Sequence, residues 1–194
     1  DVNSIGIGTP GVANRNTGVV LYSCNLGFNN FELGKVLGEK LGTQIFVEND
    51  ANAAAFGEVV NGAGKGYKNV VVVTLGTGVG GGIIIDGKIY TGFNFCGGEL
   101  GHTVIEYNGR QCGCGRKGCF EAYSSATALI NMTKEAMEAN RDSEMWKIAG
   151  SIENVDGKTA FDGMRAGDKA AIDVVDMYIN YLGCGLVNIV NTFQ

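Results

Sequence analysis

The sequence predicts an α/β fold, and three observations carry that prediction. Short apolar runs of strand length occur at Val2–Gly8, Val19–Leu21, Gln44–Val47 and Val70–Leu75. Longer runs with apolar residues at helical spacing stand between and after them. A hairpin signal closes the first half, where Ile83–Ile85 and Lys88–Tyr90 flank Asp86-Gly87, a strong two-residue turn. Strand, helix, strand and hairpin in that order imply α/β architecture.

Val2–Gly8 reads as a buried strand that ends in the turn Gly8-Thr9-Pro10-Gly11. Phe31, Leu33, Val36, Leu37 and Leu41 have helical spacing, and Gly42 is a plausible stop. Gln44–Val47 runs into Glu48-Asn49-Asp50. The Ala-rich stretch Ala51–Val60 follows as a helix with Asn49 or Asp50 near its N-terminus. Asn61–Gly66 is a Gly-rich break, and Asn61–Lys68 is the best boundary. It gives an N-terminal α/β part over 1–67 and a C-terminal α/β part over 68–194. After the strand Val70–Leu75, Gly76–Gly82 reads as a turn, and Thr91 to Cys119 as loop. Helices are expected at Ser125–Lys147, at Thr159–Arg165 and from Asp168 to about Thr192. The last carries Ile172, Val175, Ile179, Leu182, Leu186 and Ile189 on its apolar face.

Composition narrows the function classes. Apolar residues make up 45% of the chain and charged residues 18%, as in soluble globular proteins. A net charge of −5 argues against a nucleic-acid surface in this segment. No uninterrupted apolar run of about 18 residues predicts a membrane span. No secretory signal opens the sequence, which begins at Asp1 already close to a strand. This opening is expected of a piece of a longer chain. Glycine is abundant while proline occurs once, so the glycine is expected in tight turns and close backbone approaches. Three of the six cysteines fall within Cys112–Cys119, near the sole histidine, which suggests metal binding in a reducing, cytosolic setting.

Four groups of residues carry chemistry. His102, Cys112, Cys114 and Cys119 supply one imidazole and three thiolates, the number a structural zinc takes. Free thiols or a local disulfide are the alternatives. Thr74-Leu75-Gly76-Thr77-Gly78-Val79-Gly80-Gly81-Gly82 follows an apolar strand, and its backbone N–H groups could approach an anion; a β-turn with a bulge is the alternative. It lacks the Gly-Lys-Ser/Thr ending of a Walker loop. Glu48-Asn49-Asp50-Ala51-Asn52-Ala53 places a carboxylate where a strand meets a helix, suited to accept a proton from a bound hydroxyl, or serving only as an N-cap. Glu99, His102 and Glu121 are hydrogen-bonding partners for sugar hydroxyls, the glutamates alternatively solvated surface charges.

In order and spacing these segments resemble the ROK family of bacterial glucokinases, related sugar kinases and sugar-responsive repressors. The likeness runs through Ile7-Gly8-Thr9-Pro10-Gly11, Asn25-Leu26, Glu48 to Ala55, Leu75 to Gly82 and Gly98-Glu99-Leu100-Gly101-His102. It continues through Cys112 to Ala122 and is looser beyond Ala126, best at Leu182 to Asn188. The resemblance implies part of an actin-like ATPase (ribonuclease H-like) fold of two lobes. It implies a glucokinase-type hexose kinase that transfers the ATP γ-phosphate to a hexose, glucose first among candidates, at the 6-hydroxyl. By position, Asp50 would be the general base, and Asn49, Glu99, His102 and Glu121 would hold the sugar, with Gly11 and Asn25 bordering its pocket. Thr77 and Gly78 would contact the phosphates of ATP, which acts with Mg²⁺. His102, Cys112, Cys114 and Cys119 would bind structural zinc. A cytoplasmic homodimer is the implied setting.

Two departures from the family pattern bear on activity. No Asp-x-Gly-Gly-Thr phosphate loop occurs in the sequence, and the strand and Gly-Gly turn expected near adenosine after the last helix are not in it. The chain alone is therefore expected to be inactive. The alternatives within the family are a sugar-responsive transcriptional repressor and an N-acetylhexosamine or mannose kinase.

Overall fold

The computed structural model describes residues 2–194. The chain divides into two compact units, one comprising Asp1–Thr74 and Gly80–Glu99, the other Leu75–Val79 and Leu100–Gln194. The expected boundary at 67/68 falls inside the first unit.

In the first unit, β1 (Ser4–Thr9) pairs in parallel with β5 (Gln44–Asn49), with Gly8 opposite Glu48 and Thr9 opposite Asn49. The β2 (Val12–Asn14), β3 (Val19–Ser23) and β4 (Phe28–Phe31) strands form an antiparallel sheet, and α1 (Leu33–Leu41) connects it to β5. Ala13, Val20 and Val47 are buried together, with Phe28, Leu33 and Ile45 packed against them. Two of these strands were not expected, because three or four residues carry too little periodicity to read. Phe31, expected in the helix, ends β4 instead. It pairs with Val20 of β3, and its ring stacks on Phe28 of the same strand at 4.5 Å, so sheet pairing overrides the helical spacing.

Helix α2 (Asp50–Asn61) follows β5, and β6 (Val70–Leu75), β7 (Val79–Ile85) and β8 (Lys88–Ile89) form a third sheet in that order. Asp86 and Gly87 both have positive φ (50° and 76°), as the two-residue hairpin turn requires. The Gly-rich run behaves differently from expectation. Only Gly76–Gly78 is turn, whereas Gly80, Gly81 and Gly82 are strand residues of β7. A Cβ on Gly82 would overlap Ala55 and sit 2.7 Å from the Ala51 carbonyl oxygen. Glycine there lets α2 pack directly on the strand.

The second unit is mainly helical, with α3 (Glu121–Ser124), α4 (Ala126–Ala139), α5 (Met145–Ala149), α6 (Thr159–Arg165) and α7 (Lys169–Phe193). Its core gathers Leu129, Met132, Met137, Met145, Val174, Val175 and Tyr178. The helix expected over Ser125–Lys147 is two helices. The Asn140 amide bonds back to Ala136 O (2.8 Å), the Trp146 indole N–H folds over the helix end onto Met137 O (2.9 Å), and Asp168 accepts from the Glu144 N–H (2.6 Å). Two local side-chain bonds and one from the distant Asp168 thus hold the break open. Helix α7 is long and apolar enough to cross a membrane by length and composition. Here its Ala171, Val174, Val175, Tyr178, Gly185 and Ile189 are buried in the unit. The Phe120 ring occupies the space a Cβ on Gly185 would take, so this glycine lets the end of the cysteine loop seat on α7.

Candidate functional site

In the first unit the parallel pair β1–β5 delivers Glu48, Asn49 and Asp50 to the opening of α2. Asn49 is the N-cap. Its Oδ1 accepts from the Asn52 N–H at 3.0 Å and its Nδ2 donates to Gly11 O at 3.0 Å. Gly11 and Asn49 are thereby brought together, with one amide proton and one lone pair of Asn49 still available. Asp50 is exposed. Among the described residues its Oδ1 accepts only from the next N–H, of Ala51, at 2.8 Å. Asn25 stands exposed on the 24–27 turn, two residues after Ser23, which packs beside Gly11. Glu99 is exposed at the end of this unit.

Sequence reasoning missed what surrounds Asp50. Glu48 Oε1 accepts from the Asn49 N–H (3.0 Å) and from Asn52 Nδ2 (3.3 Å), while Arg15 Nε lies 3.4 Å from Glu48 Oε2. The spacing of four between Glu48 and Asn52 is the signal that could have found them. Arg15, in a separate hairpin, gave none.

In the second unit the turn Leu75–Val79 is pinned to the start of α4. Ala126 N–H donates to Gly76 O (2.8 Å) and Thr127 Oγ1 to Thr77 O (2.8 Å). The N–H groups of Thr77 and Gly78 form no hydrogen bond with any described residue, so both are free to meet an anion near a helix N-terminus. Glu121 borders this turn, its Oε2 accepting from the Val79 N–H at 2.9 Å. Its other oxygen, Oε1, is 3.6 Å from Cys112 Sγ. Glu121 thus joins the turn to the cysteine loop, a link the sequence did not reveal.

His102, on a single 3-10 turn (Leu100–His102), meets Cys112, Cys114 and Cys119. Their ligand atoms lie within 4.8 Å of one another. Cys114 and Cys119 sulfurs are 3.7 Å apart, and Cys112 Sγ is 3.7 Å from His102 Nδ1. A tetrahedral zinc with Zn–S bonds of about 2.3 Å has edges of about 3.7 Å, so the donor set fits the metal. Nδ1 faces the sulfurs and Nε2 is left for another partner. Without metal, burial pushes the Cys112 thiol up to about 12 and raises Cys119, while the backbone N–H of Arg116 holds Cys114 below its ordinary value. Two thiols thus held in the protonated form are what a cation, by stabilising thiolates, would reverse. No disulfide links any of the six cysteines. Arg116 lies over the loop, with Nη1 3.4 Å from His102 O.

The family model described as ROK family matches residues 1–194. The chain is 40% identical over 191 residues to a glucokinase of Thermotoga maritima, covering 98% of this chain and 60% of that protein. It is 35% identical over 192 residues to a xylose repressor of Bacillus spizizenii, covering 98% of this chain and 45% of that one. It superposes with a TM-score of 0.89 at 36% identity on a ROK family glucokinase from Streptomyces griseus in complex with glucose and AMPPNP, over 100% of this chain and 63% of that one. The chain therefore spans less than two thirds of the length of these relatives. With the family model matched end to end and the mixed α/β fold shared with a ROK glucokinase structure, this chain belongs to the ROK family.

Proposed function

We propose that the full-length protein phosphorylates a hexose from ATP, with glucose at its 6-hydroxyl as the leading substrate. The observation that carries this reading is Asp50, an exposed carboxylate fixed where β5 meets α2, with only one local hydrogen bond. A sugar hydroxyl is a weak nucleophile at neutral pH, and phosphoryl transfer depends on positioning and charge neutralisation. Asp50 takes the hydroxyl proton as the sugar oxygen bonds to the γ-phosphorus. The bond from that phosphorus to the bridging oxygen breaks and ADP leaves. The free N–H groups of Thr77 and Gly78 serve the phosphates, and Mg²⁺ bound with ATP supplies charge neutralisation. Asn49, Glu99, His102 and Glu121 hold the sugar, with Gly11 and Asn25 at its border. Zinc, when bound by His102, Cys112, Cys114 and Cys119, fixes the cysteine loop and the direction of the imidazole. The setting is cytoplasmic, where clustered thiols stay reduced, and the assembly is a homodimer.

The test is a panel of hexoses with ATP and the full-length protein, ranked by kcat/KM. Glucose should lead, with mannose and N-acetylated hexosamines behind, and Asp50→Asn should remove turnover. The resemblance to a xylose repressor over nearly the whole chain favours a second reading, a sugar-responsive repressor. Sugar binding with no phosphorylation of any hexose, together with sugar-dependent release from DNA, would establish that reading instead.

A further inference from the structure

We infer that Glu48, neutralised by Arg15, is the positioning residue that aims Asp50. This rests on the reading of Asp50 as the proton acceptor. Glu48 is the residue before the last of β5, and its carboxylate turns onto the opening of α2. Its side chain is 16% exposed, against 43% for Arg15. One oxygen holds two groups of the α2 opening at once, the Asn49 N–H and the Asn52 side-chain amide. Asn52 is itself only 3% exposed. The other oxygen is buried without a hydrogen bond, and the Arg15 guanidinium at 3.4 Å is the charge that faces it. A buried carboxylate is costly unless paired and hydrogen-bonded, and here one oxygen accepts two hydrogen bonds while the other faces Arg15.

The two neighbours of Glu48 depend on it unequally. Asn49 has its own anchors, Gly11 O and the Asn52 N–H, on its side chain. Among the described residues Asp50 has only the adjoining Ala51 N–H, so its direction follows the backbone of the turn. Removing the Glu48 charge therefore disturbs the proton acceptor more than the sugar contact made by Asn49. The expected signature is a fall in kcat with the hexose KM nearly held. Arg15 sits in the turn between β2 and β3, so the same signature should appear, weaker, when its charge is removed.

The experiment measures kcat and hexose KM in full-length wild type, Glu48→Gln, Arg15→Gln and Arg15→Lys, with melting temperatures alongside. Displacement of a catalytic group by a fraction of an ångström to one ångström costs on the order of tenfold or more in rate. Glu48→Gln should lower kcat about tenfold with KM within about twofold, Arg15→Gln should lower it about threefold, and Arg15→Lys should restore it. Unchanged kcat in Glu48→Gln and Arg15→Gln overturns the inference. So does a rise in KM with kcat held, which would make Glu48 a sugar-site residue. If Glu48→Gln fails to fold, Arg15→Gln decides alone. Wild type inactive on every hexose is a different result. It removes the kinase reading itself, and the inference with it.

Discussion

The opening of α2 and the cysteine loop both hold polar side chains in fixed places, and they do so by opposite means. At the α2 opening the backbone does the holding. A parallel strand pair in register sets Glu48 and Asn49, and a helix cap completes the turn. In the cysteine loop regular structure is nearly absent. Two isolated bridges, Val104 with Cys119 and Gln111 with Lys117, accompany the convergence of four side chains. A site of the first kind is set by the fold, so loss of the exposed Asp50 carboxylate should leave its stability unchanged. A site of the second kind depends more on what its side chains bind, because its backbone hydrogen bonds, such as Cys112 N–H to Arg116 O (2.9 Å) and Gly118 N–H to Arg110 O (2.8 Å), close irregular turns rather than a sheet or helix.

Four changes sharpen or break that contrast. The largest effect belongs to Asp50→Asn in the full-length protein. Loss of a general base should lower kcat by about 10³-fold, while the melting temperature stays at the wild-type value. A matching drop in stability would show that the α2 opening also depends on its functional side chain. Next comes metal. Purified protein should carry close to one zinc, and removing it, or replacing Cys119 with Ser, should cost on the order of 3 kcal/mol. Amide exchange should rise across residues 103–120 and stay unchanged in β1 and β5. Exchange rising equally in both regions, or zinc far below one equivalent, would break the contrast.

Gly82→Ala addresses the first unit through packing rather than chemistry. The added methyl meets Ala55 and the Ala51 carbonyl, neither of which can rotate away. Overpacking of this kind should cost about 2 kcal/mol in denaturant unfolding, while zinc content stays normal. The smallest effect is expected at Asp168, which caps α7 through the Ala171 N–H (2.8 Å) and also accepts from the Glu144 N–H. Burial pushes its carboxyl up, but those backbone N–H groups outweigh it and hold it below the ordinary value. A lowered folded-state pKa means the stabilisation is complete above roughly pH 4 and is lost as pH falls through the folded value. Asp168→Ala should therefore cost about 1 kcal/mol at neutral pH and flatten the acid limb of the stability profile. Equal losses for variant and wild type at low pH would count against the cap.

Much of both regions was legible. The strand that ends in Glu48-Asn49-Asp50, the helix behind it and the hairpin at Asp86-Gly87 follow from local pattern. So does the grouping of His102 with three cysteines, because their spacing needs no distant partner. What was not legible depended on residues far apart. The Gly-rich run looked like one turn, yet only Gly76–Gly78 turns while Gly82 exists for α2. The helix break after Ala139 depends on Trp146 and Asp168, which no local propensity announces.

The sequence by itself determined the α/β class, the main helices and strands, the candidate residues and the family, since each is written in short-range period or in motif order. Tertiary structure alone decided the pairing of Arg15 with Glu48 beside the α2 opening and the reach of Glu121 from the cysteine loop to the Val79 N–H. The reason is physical. A hydrogen bond between residues distant in the chain leaves no periodicity behind, and only packing determines which buried carboxylate finds which donor.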